Sequence, residues 1–152
     1  MQALAVVLGV IAVIFLSDQF LGTTFLTLPN TPTEQKVFDA ISLAEGWGIP
    51  SAIPTRANNP LDITYVGQTL DGDTGQRLGA GIIVFDTIEN GTKAGYAQVR
   101  RMLSGTDSLW PSELTLTQVG ARYANDAVSW PANVASQLGV GINATLGEIA
   151  RT

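Results

Sequence analysis

The residues of this chain that could carry out acid–base chemistry are its carboxylates. The 152 residues include 13 Asp and Glu, but no His and no Cys. That composition excludes nucleophilic catalysis by the usual Ser-His-Asp and Cys-His arrangements, and it excludes zinc sites of the ordinary type. If the protein is an enzyme, its proton donors and acceptors must come mainly from Asp and Glu, and we expect no metal and no cofactor.

Glu45 is the carboxylate in the most unusual position. It lies eight residues after Val37 and four after Ile41, on or beside the apolar stripe of a predicted helix that Gly46 ends. An acidic residue at a helix C-terminus opposes the helix dipole. Burial and the dipole would both raise the pKa of Glu45, so the carboxyl group could keep its proton at neutral pH and donate it to a leaving oxygen.

A polar segment follows Glu45. Residues 56–63 read Arg-Ala-Asn-Asn-Pro-Leu-Asp-Ile, a turn that leads into a predicted strand. Asp62 adds a second carboxylate there, which would raise the pKa of Glu45 further or act itself. Trp47 and Trp130 could belong to the same site because aromatic rings stack on sugars, although packing in the core is the more common role of Trp.

Start and stop signals place the helices that would position these residues. The first predicted helix has Thr31 as its cap, Pro32 at its first position and Glu34 to complete a capping box. Comparable signals predict a second helix from Asp86–Glu89 to about Leu103, whose apolar stripe is Ile88, Ala94, Val99 and Leu103, with Ala97 near it. They also predict helices from Thr115 to about Asn125 and from Pro131 to Gly139, and a last helical turn from Thr145.

Residues 61–66 and 81–85 are typical of the two strands of a β-hairpin, with the Asp-Gly-Asp-Thr-Gly sequence of residues 71–75 as its turn. Those five residues also resemble the start of a calcium loop, but Ile82 stands where an EF-hand has its Glu, so a turn is favoured. A helix, a hairpin and then several helices indicate an α+β fold, with a small sheet inserted in a helical bundle.

The first 26 residues are strongly apolar. Residues 3–16 contain no polar side chain, and apolar residues resume after Asp18, so a helix to about residue 26 would be long enough to cross a bilayer. A transmembrane anchor over residues 1–26 is the favoured interpretation, and a signal peptide and a buried core helix are the alternatives. Residues 27–33, with two Pro, are the predicted linker to a domain over residues 34–152.

The charge of the chain is low and acidic. Charged residues make up only 14% of it, which favours a membrane or a large assembly as its setting. The net charge is −5, the pI is about 4.4, and the Lys and Arg residues are scattered. We therefore expect no nucleic-acid partner, and the acidity counts mildly against binding an anionic cell-wall polymer.

Between about Phe38 and Val140 the sequence resembles lysozyme-like, lytic-transglycosylase-like proteins of phages and prophages. In that family a helix ending in Glu-Gly-aromatic leads into Arg-Asn-Asn-Asn-Pro-Gly-Asn-Ile, and this chain has Glu45-Gly46-Trp47 followed by residues 56–63. The later motifs follow in the family's order: Val84-Phe85 with Gly91 and Ala94, Thr115-Leu116-Thr117-Gln118-Val119, Tyr123-Ala124, Asn133-Val134-Ala135 and Leu138-Gly139-Val140. Three positions depart from the pattern, since Ala57 replaces an Asn, Leu61 a Gly and Asp62 an Asn.

The resemblance implies a lysozyme-like, mainly helical domain that cleaves the glycan strand of peptidoglycan, as a lytic transglycosylase or a muramidase. It implies that Glu45 is the general acid and base, and that a 1,6-anhydro product needs no second carboxylate. Tyr123 would hydrogen-bond Glu45 or the substrate. Asn58, Asn59 and Asp62 would contact the substrate, and a turn-forming role for the two Asn residues is equally open.

The resemblance also fits virion-associated enzymes of membrane-containing phages. The expected partners are then peptidoglycan, a membrane and other virion proteins, and the expected location is the virion or the host membrane. Two further classes stay open. One is a minor membrane or virion structural protein that keeps the fold without activity, which the acidic pI and the altered Asn motif favour. The other is a soluble glycan-binding module.

Overall fold

The computed structural model of the protein describes residues 30–152. The predicted membrane anchor over residues 1–26 and the first part of the linker lie outside the described residues. Within residues 30–152, no helix is both long enough and apolar enough to cross a membrane.

The described part of the chain is mainly helical, with one small antiparallel sheet, which confirms the α+β prediction. Its elements in chain order are α1 (Pro32–Ala44), α2 (Ile53–Arg56), β1 (Asp73–Leu78), β2 (Ile82–Phe85), α3 (Ile88–Leu103), α4 (Leu116–Tyr123), α5 (Ser129–Leu138) and α6 (Leu146–Ile149). The short helix α2 was not predicted from the sequence.

Threonine caps begin four of these helices, because a Thr hydroxyl accepts a bond from an otherwise unpaired N–H of the first turn. Thr31 forms the complete predicted capping box, and Thr115 and Thr145 form complete capping boxes at the predicted starts of α4 and α6. At α3 the cap is Thr87, one residue after the predicted start, since its hydroxyl accepts the N–H of Asn90.

Helix α5 begins two residues before the predicted position at Pro131. The carboxylate of Asp126 accepts the backbone N–H groups of Val128, Ser129 and Trp130, and so pairs the donors that start the helix. The helix ends as predicted at Gly139, whose φ of 71° is left-handed.

The predicted position of the hairpin was half wrong. Strand β2 lies where it was expected, but its partner is β1 and the turn between them is residues 79–81, where Gly79 and Gly81 have positive φ. Residues 71–75, predicted as the turn, instead lead into β1. The pairing of β1 with β2 is irregular between Asp73 and Arg77, and Gly75 there has a φ of 80°.

Residues 61–66, predicted as the first strand, run beside β2 with only a single bridge, between Thr64 and Ile82. Leu61 is fully buried there, so the apolar character of the segment reflects packing in the core rather than a full ladder of strand hydrogen bonds.

The buried face of α3 also differs from the predicted stripe. Ile88 and Ala97 are exposed, whereas the residues facing the core are Gly91, Gly95, Tyr96, Val99 and Met102. The two glycines give the reason, because they let α3 approach its neighbours more closely than an apolar side chain allows. A Cβ on Gly91 would lie only 1.7 Å from the backbone oxygen of Asn58.

A single apolar core joins the helices. Helix α1 packs against both α3 and α5, and α4 packs against α5. Phe38 of α1 stacks on Tyr96 of α3, with ring centroids 4.3 Å apart. This packing fixes the C-terminal end of α1, where Glu45 lies, beside the start of α5.

Candidate active site

Glu45 is the residue that ends α1. Its backbone N–H still donates to the carbonyl of Ile41, while Gly46, at φ 84°, turns the chain away from the helix. The side chain is half-buried, and its Oε1 accepts a 2.7 Å hydrogen bond from Nε1 of Trp130. The predicted place of Glu45 at the end of an apolar helix is confirmed.

Burial raises the pKa of Glu45 to about 7. Loss of hydration is the largest cause, because the charged form is the one that water stabilises. The Trp130 hydrogen bond works in the opposite direction, and the nearby charge of Asp62 raises the pKa further. The predicted rise is therefore confirmed, with burial as its main cause.

The hydrogen bond from Trp130 also favours one position for the proton of Glu45. An indole N–H can only donate, so the oxygen it contacts is an acceptor. Oε1 of Glu45 fills that role, and because the carbonyl oxygen of a carboxylic acid is the better acceptor, the bond favours the proton on Oε2. The carboxyl group thus has one oxygen bound to the protein and one available as a proton donor.

Asp62 is a second half-buried carboxylate near Glu45. Desolvation raises its pKa to about 6. Its Oδ1 is buried and has no hydrogen-bond partner among the described residues. Its backbone has φ 52°, a left-handed conformation that Asp tolerates better than most residues.

The side chains of Asn58 and Asn59 are used by the protein itself. Asn59 is fully buried, donates to the carbonyls of Ile63 and Ile83, and accepts the N–H of Ile63. Asn58 donates to the carbonyl of Phe85. Of the two roles predicted for this pair, the structure therefore supports the turn-forming one, and it corrects the prediction that Asn59 contacts a substrate.

Tyr123 lies between two Trp rings. Its centroid is 5.6 Å from that of Trp130 and 6.2 Å from that of Trp110. The predicted hydrogen bond to Glu45 is replaced by another, because its hydroxyl donates to the carbonyl of Leu61. Burial raises the pKa of Tyr123 well above its usual value, and the charges of Glu45 and Asp62 add to that effect.

An open cleft of about 240 Å³ lies beside Asp62. Its walls include Asp62 and Tyr123, the ring of Trp110, and the side chains of Arg101 and Arg122. Sequence reasoning did not single out Trp110 or the two Arg residues, which lie far from the Glu45 motif in the chain.

Glu45 itself is not among the residues that line the cleft. Asp62 and Tyr123 connect the two, because both line the cleft and both interact electrostatically with Glu45. Trp130, one of two Trp residues suspected from the sequence, contacts Glu45 through its indole N–H, a contact that the sequence did not predict, whereas Trp47 is half-buried and lies outside the cleft wall.

The site therefore holds two partly buried carboxyl groups with raised pKa values, Glu45 and Asp62, which are suited to acid–base chemistry. Across residues 30–152, no cluster of three or more acidic side chains is placed to hold a metal ion. No protein-family model, no curated protein and no solved structure matches this chain.

Proposed function

We propose that this domain cleaves the glycan strand of peptidoglycan, with Glu45 as the general acid. The observation that carries the proposal is that Glu45 is half-buried, has a pKa of about 7, and is fixed through Oε1 by Trp130. Such a group is protonated at near-neutral pH and still acidic enough to donate, which is the requirement for protonating a glycosidic oxygen.

In the proposed reaction, Oε2 of Glu45 gives its proton to the oxygen that links N-acetylmuramic acid to N-acetylglucosamine. The bond from that oxygen to C1 then breaks, and Glu45 is left as a carboxylate. C1 is next attacked either by the 6-hydroxyl of the muramic acid, which gives a 1,6-anhydro product, or by water, which gives a reducing end. The first route needs no other acidic residue, because Glu45 can take the hydroxyl proton.

The choice of peptidoglycan as substrate rests on the sequence resemblance to lysozyme-like phage proteins. The proposal of a lysozyme-like domain rests on the same motifs, together with the mainly helical α+β fold.

A zymogram on purified peptidoglycan tests the proposal. The full chain should clear the gel at pH 6–7, and Glu45→Gln should not, because Gln accepts the Trp130 bond but has no acidic proton. Glu113→Gln is the matched control, since Glu113 is an exposed carboxylate outside the site and its loss should leave clearing unchanged. If the full chain clears at no pH, an inactive structural protein becomes the better account.

We further propose that residues 1–26 anchor the domain to a membrane. Their composition is the support, because residues 3–16 carry no polar side chain. The full chain should float with liposomes in a density gradient, and Ile11→Lys should reduce flotation, since a charge at the centre of the apolar segment is costly in lipid. Flotation equal to that of a soluble protein would favour the core-helix alternative.

A further inference from the structure

Asp62 has no role in the proposed protonation of the glycosidic oxygen by Glu45. We propose that Asp62 is a second catalytic residue, whose carboxylate binds the attacking water at the cleft and takes its proton, so that the domain hydrolyses the glycan instead of forming a 1,6-anhydro end. This inference rests on the proposed function and specifies its reaction.

The first observation is the state of the Asp62 side chain. A buried carboxylate oxygen without a hydrogen-bond donor is uncommon in proteins, because desolvation of the charge costs free energy that a donor would restore. Oδ1 of Asp62 is such an atom, and the residue forms part of the wall of an open cleft of about 240 Å³. Because Oδ1 is buried, Oδ2 is the oxygen through which the carboxylate can meet a water molecule in the cleft.

The second observation is that the backbone on both sides of Asp62 is fixed. The preceding carbonyl, of Leu61, accepts the hydroxyl of Tyr123, and the N–H of Asp62 donates to the carbonyl of Asn59 at 3.0 Å. The following N–H, of Ile63, donates to the side chain of Asn59. These contacts hold Asp62 in its left-handed conformation and so fix the direction of its Cα–Cβ bond.

Backbone geometry alone does not account for an Asp at this position. Asn adopts a left-handed backbone at least as readily as Asp and brings no charge into a desolvated site. The desolvated carboxylate therefore lowers the stability of the fold, and an Asn at this position would not. A cost of this kind is expected where the charge serves chemistry.

A structural ion pair is the competing explanation for a partly buried carboxylate. Two guanidinium groups line the same cleft, but their contacts are with other residues. Arg101 bonds to Asp107, and Arg122 bonds to the carbonyl of Leu109 and lies over the ring of Trp110. Desolvation is the cause of the raised pKa of Asp62, with no cation to oppose it.

The atoms and protons of the step balance. Glu45 transfers its Oε2 proton to the leaving oxygen as the bond from that oxygen to C1 breaks. The water oxygen forms a bond to C1, and its released proton passes to Oδ2 of Asp62. Glu45 then regains a proton from solvent and Asp62 loses one to it, which restores both groups. The pKa values suit these roles, because between about pH 6 and 7 Glu45 is mostly protonated and Asp62 mostly ionised.

Mass analysis of the fragments released from purified peptidoglycan tests the inference. The wild-type chain should release mainly reducing-end fragments, which are heavier by one water than the anhydro fragments. Asp62→Asn keeps the backbone preference and the shape but removes the base, so it should lower the rate of reducing-end release by roughly 100-fold or more. A wild-type product that is mainly anhydro, or reducing-end release by Asp62→Asn at the wild-type rate, would overturn the inference and leave the proposed function standing.

A second variant separates a catalytic from a merely structural role. Asp62→Gly accepts the positive φ and opens space beside C1, where an added small anion such as azide can attack in place of activated water. Azide should restore cleavage by Asp62→Gly and yield a glycosyl azide. No azide adduct from an Asp62→Gly protein of near wild-type thermal stability would contradict the inference. Absence of any cleavage by the wild type would instead overturn the proposed function, and this inference with it.

Discussion

Nε1 of Trp130 donates a 2.7 Å hydrogen bond to Oε1 of Glu45, joining residues 85 positions apart in the chain. Trp130 is only 4% exposed, so the core holds the donor in place. The packing of α5 on α1 therefore positions the carboxyl group, and the candidate acid depends on the helical core for its geometry.

Loss of this bond should raise the pKa of Glu45. A hydrogen bond to a carboxylate stabilises the charged form and lowers the pKa, so Trp130→Phe should shift the alkaline limb of the pH–activity profile to higher pH. Activity at the optimum should fall as well, because the carboxyl group becomes less well oriented. Trp47→Phe is the control, since Trp47 is half-buried and lies outside the cleft wall, and the donor to Glu45 is Trp130. An unchanged alkaline limb in Trp130→Phe would contradict the assignment.

The pH dependence of cleavage should be bell-shaped. Activity should decline above about pH 7 as Glu45 loses its proton, and below about pH 6 as Asp62 gains one. Initial rates measured from pH 4 to 9 would show both limbs.

Asp62→Asn should change that profile in two ways. The acid limb should disappear from any residual activity, because the group that titrates there is gone. The alkaline limb should move to lower pH, because the Asp62 charge that raises the pKa of Glu45 is removed. Retention of the acid limb near pH 6 would assign it to another group.

Glu45 should also reduce stability at alkaline pH. Because its pKa is higher in the folded than in the unfolded chain, folding is favoured while the group is protonated, and that advantage is lost between about pH 4.5 and 7. Gln does not ionise, so above pH 7 the free energy of unfolding of Glu45→Gln should exceed that of the wild type by about 1–2 kcal/mol. The full shift would give roughly 3 kcal/mol, but solvent screens a partly exposed carboxylate. Thermal unfolding at pH 4 and pH 8 would show equal stability at pH 4 and a more stable variant only at pH 8.

Gly91 should be essential for the approach of α3 to the Asn58 loop. Its substitution by Ala would place Cβ 1.7 Å from the oxygen of Asn58, so the loop or the helix must move, at a cost of about 3 kcal/mol or more. Gly141→Ala is the matched control, because no atom lies within 4 Å of a Cβ there. Chemical denaturation of both variants measures the difference, and equal stabilities would refute the close packing.

Local signals in the sequence predicted much of this architecture. The capping boxes at Thr31, Thr115 and Thr145 each depend on residues three apart, so short-range chemistry alone places these helix starts. The end of α1 at Glu45 depends equally on a neighbour, Gly46. For the same reason, the unusual position of Glu45 could be recognised without the fold.

Features that depend on distant contacts could not be predicted in this way. The partner of β2 was misassigned because residues 61–66 are apolar through burial of Leu61 in the core, and a core segment and a strand look alike over so short a run. The bond from Tyr123 to the Leu61 carbonyl spans 62 residues, and no local pattern distinguishes it from a bond to Glu45. The unpartnered oxygen of Asp62 likewise becomes visible only when its surroundings are known.

The central claim is that Glu45 donates a proton to a glycosidic bond of peptidoglycan. Its most direct test is the initial rate of fragment release from purified peptidoglycan at pH 6–7 by the wild-type chain, Glu45→Gln and Glu113→Gln. The account predicts that Glu45→Gln lowers the rate by roughly 100-fold or more, and that Glu113→Gln keeps the wild-type rate. Equal rates for Glu45→Gln and the wild type, or no release by the wild type, would contradict it.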